Sequence, residues 1–337
     1  MTMHRVCLLP GDGIGPEVVG QARRVLDALQ VPLEFTQGEI GYGAYKKLGT
    51  PLPEETLEKV RRADATLFGA VTTPPNIPGY FSAIIRLRQT FELFANIRPC
   101  RSIPHPSSRP HINLVIVREN TEDLYSGVER VEDNGNRAIS EMIITRKASE
   151  RILHKAFSLA GDLHFQKVTV VHKANVLRAT CGLFLRVAGE VADLYPDVVM
   201  QDMLVDTCAM ELIRDPQQFQ VIVTTNLFGD ILSDEASMLV GGLGVACSGN
   251  IGEGAAIFEP VHGSAPNIAG QHKANPLATF LSTAMLLDFL QEPEPARRLE
   301  RAVNETIRLG QVTEDLGGQL TTEESTDSVI GLLNLKP

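Results

Sequence analysis

The interpretation of this chain is decided by the stretch Asn226-Leu227-Phe228-Gly229-Asp230-Ile231-Leu232-Ser233-Asp234. An apolar run at 221–225 precedes it and predicts a buried strand, and the residues after it predict a helix that stops at Gly241 and Gly242. Asp230 and Asp234 are four residues apart, so on a helix they share one face, where their like charges repel. A divalent cation would turn that repulsion into binding, and oxygen-only ligands suit Mg²⁺ or Mn²⁺. Two solvated aspartates near a helix start, favoured by the helix dipole, are the alternative.

Composition limits the class of protein. The chain has 337 residues, of which 43% are hydrophobic, and this predicts two domains or one large domain with an ample core. A net charge of −10 lacks the basic footprint of proteins that bind nucleic acid or anionic membranes. The five cysteines are an odd number without CxxC spacing, which argues against a disulfide framework or a zinc site. We find no signal peptide and no apolar run of ~18 residues, so we expect a cytoplasmic protein without a membrane span.

The first part of the chain alternates strand and helix patterns. A strand at 5–9 leads through the loop Gly11-Asp12-Gly13-Ile14-Gly15-Pro16 into a helix at 17–29. The loop does not match the dinucleotide fingerprint GxGxxG, because Pro16 stands where the third glycine belongs. Further strand and helix patterns alternate along the chain and predict a mostly parallel α/β sheet. The long loop at 72–79 follows a strand, and loops in that position bind ligands in open α/β sheets.

Four chemically active residues follow apolar runs. Arg118, Lys173, Asp206 and Asp230 each lie at or shortly after such a run, and a parallel sheet brings these strand ends to one edge. Partial burial of Lys173 would suit proton transfer, while a surface lysine at a strand end is the alternative. This convergence favours the metal-binding and catalytic interpretation over solvated charges.

Arginines punctuate the apolar segment at 82–98. Arg86, Arg88 and Arg98 either form a clamp for carboxylates, together with Arg118, or extend their charged ends to water and cap a helix.

Two later segments also stand out. Residues 125–147 predict an exposed apolar hairpin, which needs a partner and so suggests a dimer arm. Residues 258–270 contain too much glycine and proline for regular structure, which predicts a structured loop that carries binding.

These residues resemble a known family. The stretch from Asn226 to Asp234, with Gly241-Gly242-Leu243-Gly244, is similar to the signature of the isocitrate/isopropylmalate dehydrogenase family, and the resemblance covers essentially the whole chain. It implies an α/β, isopropylmalate-dehydrogenase-like fold in which two α/β domains share a large, twisted, mostly parallel sheet, different from the classical Rossmann fold. The cofactor-side domain would comprise 1–99 plus 250–337. The domain for substrate, metal and dimerisation would comprise 100–249, with an arm near 125–147.

The family's members are β-decarboxylating dehydrogenases of 2-hydroxy acids that use NAD or NADP and Mg²⁺ or Mn²⁺. By this resemblance, the substrate-binding residues are Ser82, Arg86, Arg88, Arg98, Arg118, Tyr125 and Lys173. The catalytic residues are Tyr125, Lys173 and Asp206, and the metal ligands are Asp206, Asp230 and Asp234. The cofactor-binding residues are Thr72, Asn175, Glu259, His262, Gly263, Ser264, Ala265, Asn267, Ile268 and Asn275. Because the lysine and the first aspartate come from the partner subunit in this family, the resemblance implies a homodimer with shared active sites; a tetramer stays open.

The segment from Ser82 to Arg88 bears on the substrate. Isocitrate enzymes of the family have the pattern Ser-x-Asn-x-x-Leu-Arg in this segment, whereas this chain has Ile84 at the asparagine position. Isopropylmalate enzymes have a leucine-rich, uncharged stretch, in which Arg86 is out of place. The segment resembles homoisocitrate dehydrogenases more closely, although an arginine one position earlier, where this chain has Ile85, also occurs in them.

The resemblance thus implies NAD-dependent oxidative decarboxylation of homoisocitrate, a tricarboxylate, to 2-oxoadipate in lysine biosynthesis through aminoadipate. The alternatives are isocitrate, activity on both acids, and 3-isopropylmalate. A non-catalytic regulatory subunit is an alternative of another class. Such subunits lose the metal aspartates, the tyrosine or the lysine, all of which are present here.

Residues Ala265-Pro266-Asn267-Ile268 predict the cofactor preference. In the family that this chain resembles, NADP-dependent members have Lys-Tyr at the last two of these positions, and NAD-dependent members have Asp-Ile. The amide of Asn267 can bind the ribose hydroxyls but repels a 2′-phosphate less than a carboxylate does. We therefore expect a higher kcat/KM with NAD than with NADP, with weaker discrimination than an aspartate gives. Initial rates with both cofactors test this, and an equal or higher kcat/KM with NADP would contradict it.

Overall fold

The computed structural model describes residues 3–75, 77 and 80–334, so that Asn76, Pro78 and Gly79 of the predicted loop at 72–79 lie outside the described residues. The strands in the described residues are β1 (His4–Gly11), β2 (Leu33–Gln37), β3 (Ala65–Ala70), β4 (Ala95–Arg101), β5 (Asn113–Glu119), β6 (Glu129–Glu132), β7 (Arg137–Ser140), β8 (Lys167–His172), β9 (Val199–Leu204), β10 (Val221–Thr224), β11 (Cys247–Ile251) and β12 (Ala256–Pro260). The helices there are α1 (Gly15–Leu29), α2 (Tyr42–Leu48), α3 (Glu54–Arg62), α4 (Ala83–Thr90), α5 (Arg146–Asp162), α6 (Thr180–Ala192), α7 (Val205–Arg214), α8 (Asn226–Met238), α9 (Leu277–Phe289), α10 (Pro293–Arg308) and α11 (Thr322–Leu332).

The chain divides into two compact units. Unit 1 comprises the described residues of Met1–Phe91, Ile103–Ser108 and Gly241–Pro337, and unit 2 comprises Glu92–Ser102 and Arg109–Val240. The domain boundaries expected from the sequence stay a prediction.

Unit 1 contains five strands in the order β2-β1-β3-β12-β11. All neighbours pair in parallel except β11 and β12, which are antiparallel. Helix α1 buries its apolar positions, including Val19, Ala22 and Leu26, and these side chains join a core with Phe258 and Phe280. The helical period of the apolar residues therefore gave the correct buried face.

The glycine loop after β1 serves packing. A Cβ atom on Gly11 would lie 1.9 Å from the carbonyl oxygen of Ala70, and one on Gly13 would lie 1.9 Å from that of Ser264. Both glycines have positive φ, 76° and 60°, which side chains disfavour. The loop is thus pressed against β3 and against the segment around Ser264, which explains glycines here without a dinucleotide fingerprint.

Unit 2 contains the sheet that carries the predicted catalytic residues. Its strands have the order β4-β5-β10-β8-β9, and all pairs are parallel except β4 with β5. The carboxyl ends of β5, β8, β9 and β10 therefore meet at one edge, as the apolar runs predicted. Arg118 is the penultimate residue of β5, Lys173 follows β8, Asp206 lies in the first turn of the helix after β9, and Asp230 lies on the helix after β10. A mixed α/β fold with mostly parallel strands is confirmed.

Some elements differ from the sequence patterns. Arg98 lies within β4, so it does not cap a helix, and Arg118 is inside β5. The glycine-rich sequence at 249–254 is typical of a turn but is partly strand, because Gly249 pairs with Phe258 across β11 and β12. A Cβ atom on Gly249 would lie 3.0 Å from the Phe258 ring, so the glycine makes room for that ring. Ladder hydrogen bonds and this packing override the low strand propensity of glycine.

The predicted hairpin at 125–147 is present. Strands β6 and β7 pair in antiparallel register, and Val131 on it is exposed. Its turn contains Asp133, Asn134 and Gly135, all with positive φ. The role of this hairpin as a dimer arm stays a prediction.

Over the described ranges, every helix is too short or too polar to cross a membrane, and the cytoplasmic location also stays a prediction.

Helix α8 approaches β5 at Gly229. A Cβ atom there would lie 2.6 Å from Cγ and 2.7 Å from Cβ of Arg118. We expect Gly229→Ala to lower the free energy of unfolding by about 1–3 kcal/mol, because the side chain overpacks this contact. Urea denaturation measures the effect. The matched control is Gly189→Ala on α6, where no atom lies within 4 Å of the added Cβ and where we expect a gain of about 0.4–1 kcal/mol. Equal stability of the two variants would contradict the packing argument.

Candidate active site

Arg118 is a deeply buried arginine of unit 2. Its side chain is 1% exposed, and its Nε and Nη2 donate to Oδ1 of Asn226 at 3.0 and 2.7 Å. Its Nη1 donates to Oδ1 of Asp230. Burial of a guanidinium group is costly unless its donors are satisfied, and here helix α8 supplies both acceptors. Arg118 is therefore held in one orientation between β5 and α8.

Arg98 connects the two aspartates of α8. Its Nη1 donates to Oδ1 of Asp234 at 3.0 Å and to Oγ of Ser233 at 2.7 Å, and its Nη2 lies 3.4 Å from Oδ1 of Asp230. Its Nε donates to Oδ1 of Asn96 at 2.7 Å. The repulsion expected between Asp230 and Asp234 is thus offset by guanidinium groups of the same chain.

Tyr125 completes this group from a short 3-10 turn, Leu124–Ser126. Its hydroxyl donates to Oδ2 of Asp230 at 2.6 Å, and the guanidinium carbon of Arg118 lies 5.1 Å from its ring centre. Burial, followed by the hydrogen bond to Asp230, raises the pKa of Tyr125 above its ordinary value. The phenol therefore keeps its proton at neutral pH. We call Arg98, Arg118, Tyr125, Asp230 and Asp234 the arginine–aspartate cluster.

The cluster's carboxylates fit a hard divalent cation as part of a larger ligand set. The side chains of Asp230 and Asp234 are 35% and 57% exposed, so their oxygens are accessible. Oxygen donors suit Mg²⁺ and Mn²⁺. Across the described residues, no three His, Cys, Asp or Glu side chains gather as metal ligands, so one chain does not assemble Asp206 with these two. The metal site, with Asp206 as its third carboxylate ligand, stays a prediction.

Lys173 and Asp206 form a second pair. Lys173 Nζ lies 2.7 Å from Oδ1 of Asp206, and the lysine side chain is partly buried, as expected. The hydrogen bond from Lys173 lowers the pKa of Asp206 below its ordinary value. Asn175 is exposed in the turn that follows Lys173.

Exposed apolar side chains surround two of the predicted metal ligands. On α7, Met210 and Ile213 follow Asp206 at helical spacing, and both are exposed. On α8, Ile231 and Met238 share a face with Asp234, and both are also exposed. One chain therefore leaves an apolar stripe in water beside each of these carboxylates.

Several polar residues of this region were missed by the sequence analysis. Asn96, Ser233 and Asn226 orient the two arginines, and of these Asn226 had a signal, since it opens the quoted motif. Glu122 accepts from the backbone N–H and the hydroxyl of Thr145, at 2.8 and 2.9 Å, and so joins the two ends of the hairpin segment. Burial raises the pKa of Glu122 to about 7. Its place next to the site was not evident from any pattern in the sequence.

In unit 1, Arg88 binds a residue predicted to contact the cofactor. Its Nη2 donates to Oε1 of Glu259 at 2.9 Å, both side chains are largely buried, and Asn250 also donates to this carboxylate. The Nε of Arg88 is buried without a hydrogen-bond partner among the described residues. That unused donor favours a ligand for Arg88.

Arg86 lies on a different face of α4 from Arg88. It is exposed, and its guanidinium carbon lies 5.0 Å above the ring of Phe81. Ile84 and Ile85, three or four residues before Arg88, share the Arg88 face instead. Ser82 is the N-cap residue of the same helix. The two arginines, which are neighbours in the sequence, therefore lie on different faces of this helix.

The predicted cofactor loop follows β12 and is ordered by internal contacts. The hydroxyls of Thr72 and Ser264 lie 2.7 Å apart, and Gly263 accepts from Nδ1 of His262 at 3.0 Å. The Nε2 of His262 is buried and unpaired within the described part of the chain, and burial lowers the pKa of this ring, which is therefore neutral at neutral pH. An uncharged acceptor suits recognition of a polar ligand.

The rest of this loop combines apolar anchors with one exposed amide. Ala265 and Ile268 pack against Ile14 of the glycine loop, whereas Asn267 is exposed. Asn275 is buried and has structural partners, since its Nδ2 donates to Asp315 and its Oδ1 accepts from the backbone of α9 at 2.9 Å. Asn267 is therefore more available to a ligand than Asn275.

Comparison with known proteins gives consistent matches. Residues 5–329 match the profile of the family described as isocitrate/isopropylmalate dehydrogenase. The chain is 53% identical over 331 residues to isocitrate/homoisocitrate dehydrogenase of Thermus thermophilus, with 98% of each chain covered. It is 51% identical over 325 residues to 3-isopropylmalate dehydrogenase of Methanothermobacter thermautotrophicus, with 96% of this chain and 97% of that one covered. The crystal structure of isocitrate dehydrogenase from Methylococcus capsulatus superposes with a TM-score of 0.96 at 45% identity, covering 99% of this chain and 100% of that one. The chain therefore belongs to the isocitrate/isopropylmalate dehydrogenase family and is a β-decarboxylating dehydrogenase.

Proposed function

We propose that this protein oxidatively decarboxylates homoisocitrate to 2-oxoadipate, with NAD and Mg²⁺ or Mn²⁺, as a cytoplasmic homodimer in lysine biosynthesis. The observation that carries the proposal is the arginine–aspartate cluster, which combines two guanidinium groups, a protonated phenol and two accessible carboxylates. The buried thiols of all five cysteines agree with a reducing compartment.

The guanidinium groups suit a substrate with several carboxylates. Arg98 and Arg118 already bind carboxylate oxygens of their own chain, so their donors are oriented for such a group. Arg88 adds an unused, buried Nε donor in unit 1. In this proposal each of the three arginines binds a carboxylate of the substrate.

The protein's part in the reaction is to bind carboxylates and to move two protons. When bound, a divalent cation polarises the hydroxyl and carboxylate oxygens of the substrate, and NAD supplies the hydride acceptor. Lys173, paired with Asp206, removes the proton of the substrate hydroxyl. After loss of CO2, Tyr125 donates the proton held at its Oη to the substrate carbon.

The exposed apolar stripes support the homodimer. The stripe on α7 contains Asp206 and the stripe on α8 contains Asp234, so covering both stripes with a second copy would also bring carboxylates of two chains together. Lys173 and Asp206 of one subunit would then complete the cluster of the other. The exposed hairpin, with Val131 on it, would contribute to the same interface.

Subunit complementation tests the shared site. Lys173→Met and Asp230→Asn should each be inactive, and equal amounts mixed by reversible unfolding should recover about one quarter of wild-type activity. This recovery is expected because half of the dimers are mixed and each mixed dimer has one intact site. Turnover of the mixture against the separate variants is the measurement.

The control mixture is Lys173→Met with Asp206→Asn. These two residues are paired within one chain, so each mixed site carries one lesion and no activity should return. Recovery in the control, or none in the first mixture, would contradict the shared site.

An apolar γ-substituent is the second candidate for the substrate. Ile84 and Ile85 share the Arg88 face of α4, while Arg86 lies over Phe81 on another face, which favours 3-isopropylmalate. For homoisocitrate, Arg86 would have to reach the third carboxylate from its exposed position.

Initial rates with NAD and Mg²⁺ on homoisocitrate, isocitrate, 3-isopropylmalate and malate decide between these substrates. We expect the highest kcat/KM for homoisocitrate, and a loss of about tenfold or more with Arg86→Ala on this substrate, since a charged hydrogen bond is removed. Arg61→Ala is the control, because Arg61 is also an exposed arginine near an aromatic ring, that of Phe91. The highest kcat/KM for 3-isopropylmalate, unchanged in Arg86→Ala, would establish the second candidate.

A further inference from the structure

Asp123 has a backbone conformation that is unusual for its residue type. Its φ is 72° and its ψ is −148°, in a region that glycine adopts and that side chains disfavour. The residue is also fully buried. Such a residue persists when the surrounding structure holds it, and strained residues of this kind concentrate at functional sites.

The carboxylate of Asp123 bridges two elements of unit 2. Its Oδ1 accepts from the backbone N–H of Leu124 at 2.7 Å, and its Oδ2 accepts from the backbone N–H of Leu227 at 3.0 Å. Its own backbone N–H donates to the carbonyl oxygen of Ile143 at 2.9 Å. One buried side chain therefore connects the turn that carries Tyr125 with the first turn of α8.

The bond to Leu227 replaces an ordinary helix cap. The N–H groups in the first turn of a helix need acceptors from outside the helix, and a carboxylate there also interacts favourably with the helix dipole. Within the described residues, the N-cap residue of α8, Thr225, makes no side-chain capping bond, and its hydroxyl is buried without a partner. Asp123, distant in sequence, supplies the cap instead.

Both ends of the Tyr125–Asp230 hydrogen bond lie next to the groups that Asp123 binds. Leu124 directly precedes Tyr125, and Leu227 is one helical turn before Asp230. The 2.6 Å distance between the phenol and Oδ2 of Asp230 thus depends on the relative position of two segments that one carboxylate connects.

We propose that Asp123 is a positioning residue that holds Tyr125 against Asp230 by binding the backbone of both segments. This inference rests on the proposed function, in which Tyr125 donates a proton to the substrate. Displacement of a proton donor by a fraction of an ångström to about 1 Å costs up to roughly a hundredfold in rate. The effect of Asp123 should therefore appear in kcat and should depend on the presence of Tyr125.

The test is a double-mutant cycle on the metal- and NAD-supplied dimer, with the substrate of highest kcat/KM. We expect Asp123→Asn to lower kcat by about tenfold to a hundredfold, because an amide presents a donor to one of the two N–H groups, while the KM for NAD stays within about twofold. In a protein that already carries Tyr125→Phe, adding Asp123→Asn should lower kcat by less than about twofold more. A residue with a general structural role would lower kcat by the same factor in both backgrounds.

A second readout does not depend on turnover. Hydrogen exchange of the protein without metal or NAD, followed by mass spectrometry, should be at least about tenfold faster in peptides covering 123–127 and 226–230 of Asp123→Asn. Exchange in β8 should be unchanged. This measurement detects the loss of the cap directly.

Asp123→Gly is a second variant that can be measured if Asp123→Asn fails to fold. Glycine adopts φ 72° without strain, so this variant removes the carboxylate while it relieves the backbone, and it should show the same loss of kcat as Asp123→Asn. The control is His164→Gly, an exposed residue of unit 2 with φ 56°, which should keep wild-type kcat.

The outcomes distinguish the positioning role of Asp123 from the proposed function of Tyr125. Wild-type kcat in both Asp123 variants, equal losses with and without Tyr125, or unchanged hydrogen exchange would each overturn the positioning role. Wild-type kcat in Tyr125→Phe would instead overturn the proposed function of the tyrosine, and the exchange measurement would then decide whether Asp123 still connects the two segments.

Discussion

The burial of the Arg118 guanidinium constrains the rest of the site in unit 2. A charged group of this size is tolerated inside a protein when its donors meet acceptors, and both acceptors, Asn226 and Asp230, come from α8. The helix must therefore lie against β5 in one register, and Gly229 must lack a side chain because Arg118 occupies that space. Asp230, once oriented, accepts from Tyr125 and contacts Arg98. The arrangement of the whole cluster thus follows from one satisfied buried charge.

The same cluster is electrically balanced without a ligand. Two guanidinium groups face two carboxylates, so the charges of Asp230 and Asp234 are compensated before any cation or substrate binds. An anionic substrate would exchange one carboxylate partner of an arginine for another, and a cation would exchange one positive partner of an aspartate for another. Because each charged side chain would exchange one charged partner for another, no unpaired charge would be buried. The binding of the substrate and the binding of the cation would then depend on each other.

The parts of the structure that the sequence predicted well depend on local pattern. The apolar period of α1 identified its buried face, and the apolar runs before Arg118, Lys173 and Asp206 located strands whose parallel pairing brings them to one edge. The strand that contains Arg98 was not predicted, because a strand interrupted by a charged residue resembles an irregular segment until its partners Asn96 and Ser233 are known. Spacing and strand ends singled out Asp230, Asp234, Lys173 and Asp206, and the family resemblance then implied their individual roles and that of Tyr125. The geometry adds contacts to these residues without testing their roles.

Other features are invisible in sequence because they join residues far apart in the chain. Asp123 and the backbone of Leu227, which it caps, are more than one hundred residues apart in the chain. No sequence pattern around either residue predicts this contact. The different faces of Arg86 and Arg88 depend on where α4 begins. Relatives with different named substrates are about equally similar to this chain, so overall identity does not distinguish between these substrates.

The division of the chain into units also has a consequence for its synthesis. Unit 2 is nearly continuous, so all of its strands have left the ribosome once residue 240 has emerged. Unit 1 is formed from both ends of the chain, and its pair between β3 and β12 joins Thr66 to Ile257. Strands β1, β2 and β3 can pair with one another early, but the edge of β3 that pairs with β12 stays unpaired until the C-terminal segment is available. During that interval the exposed edge of β3 is a site where a chaperone or another nascent chain can bind.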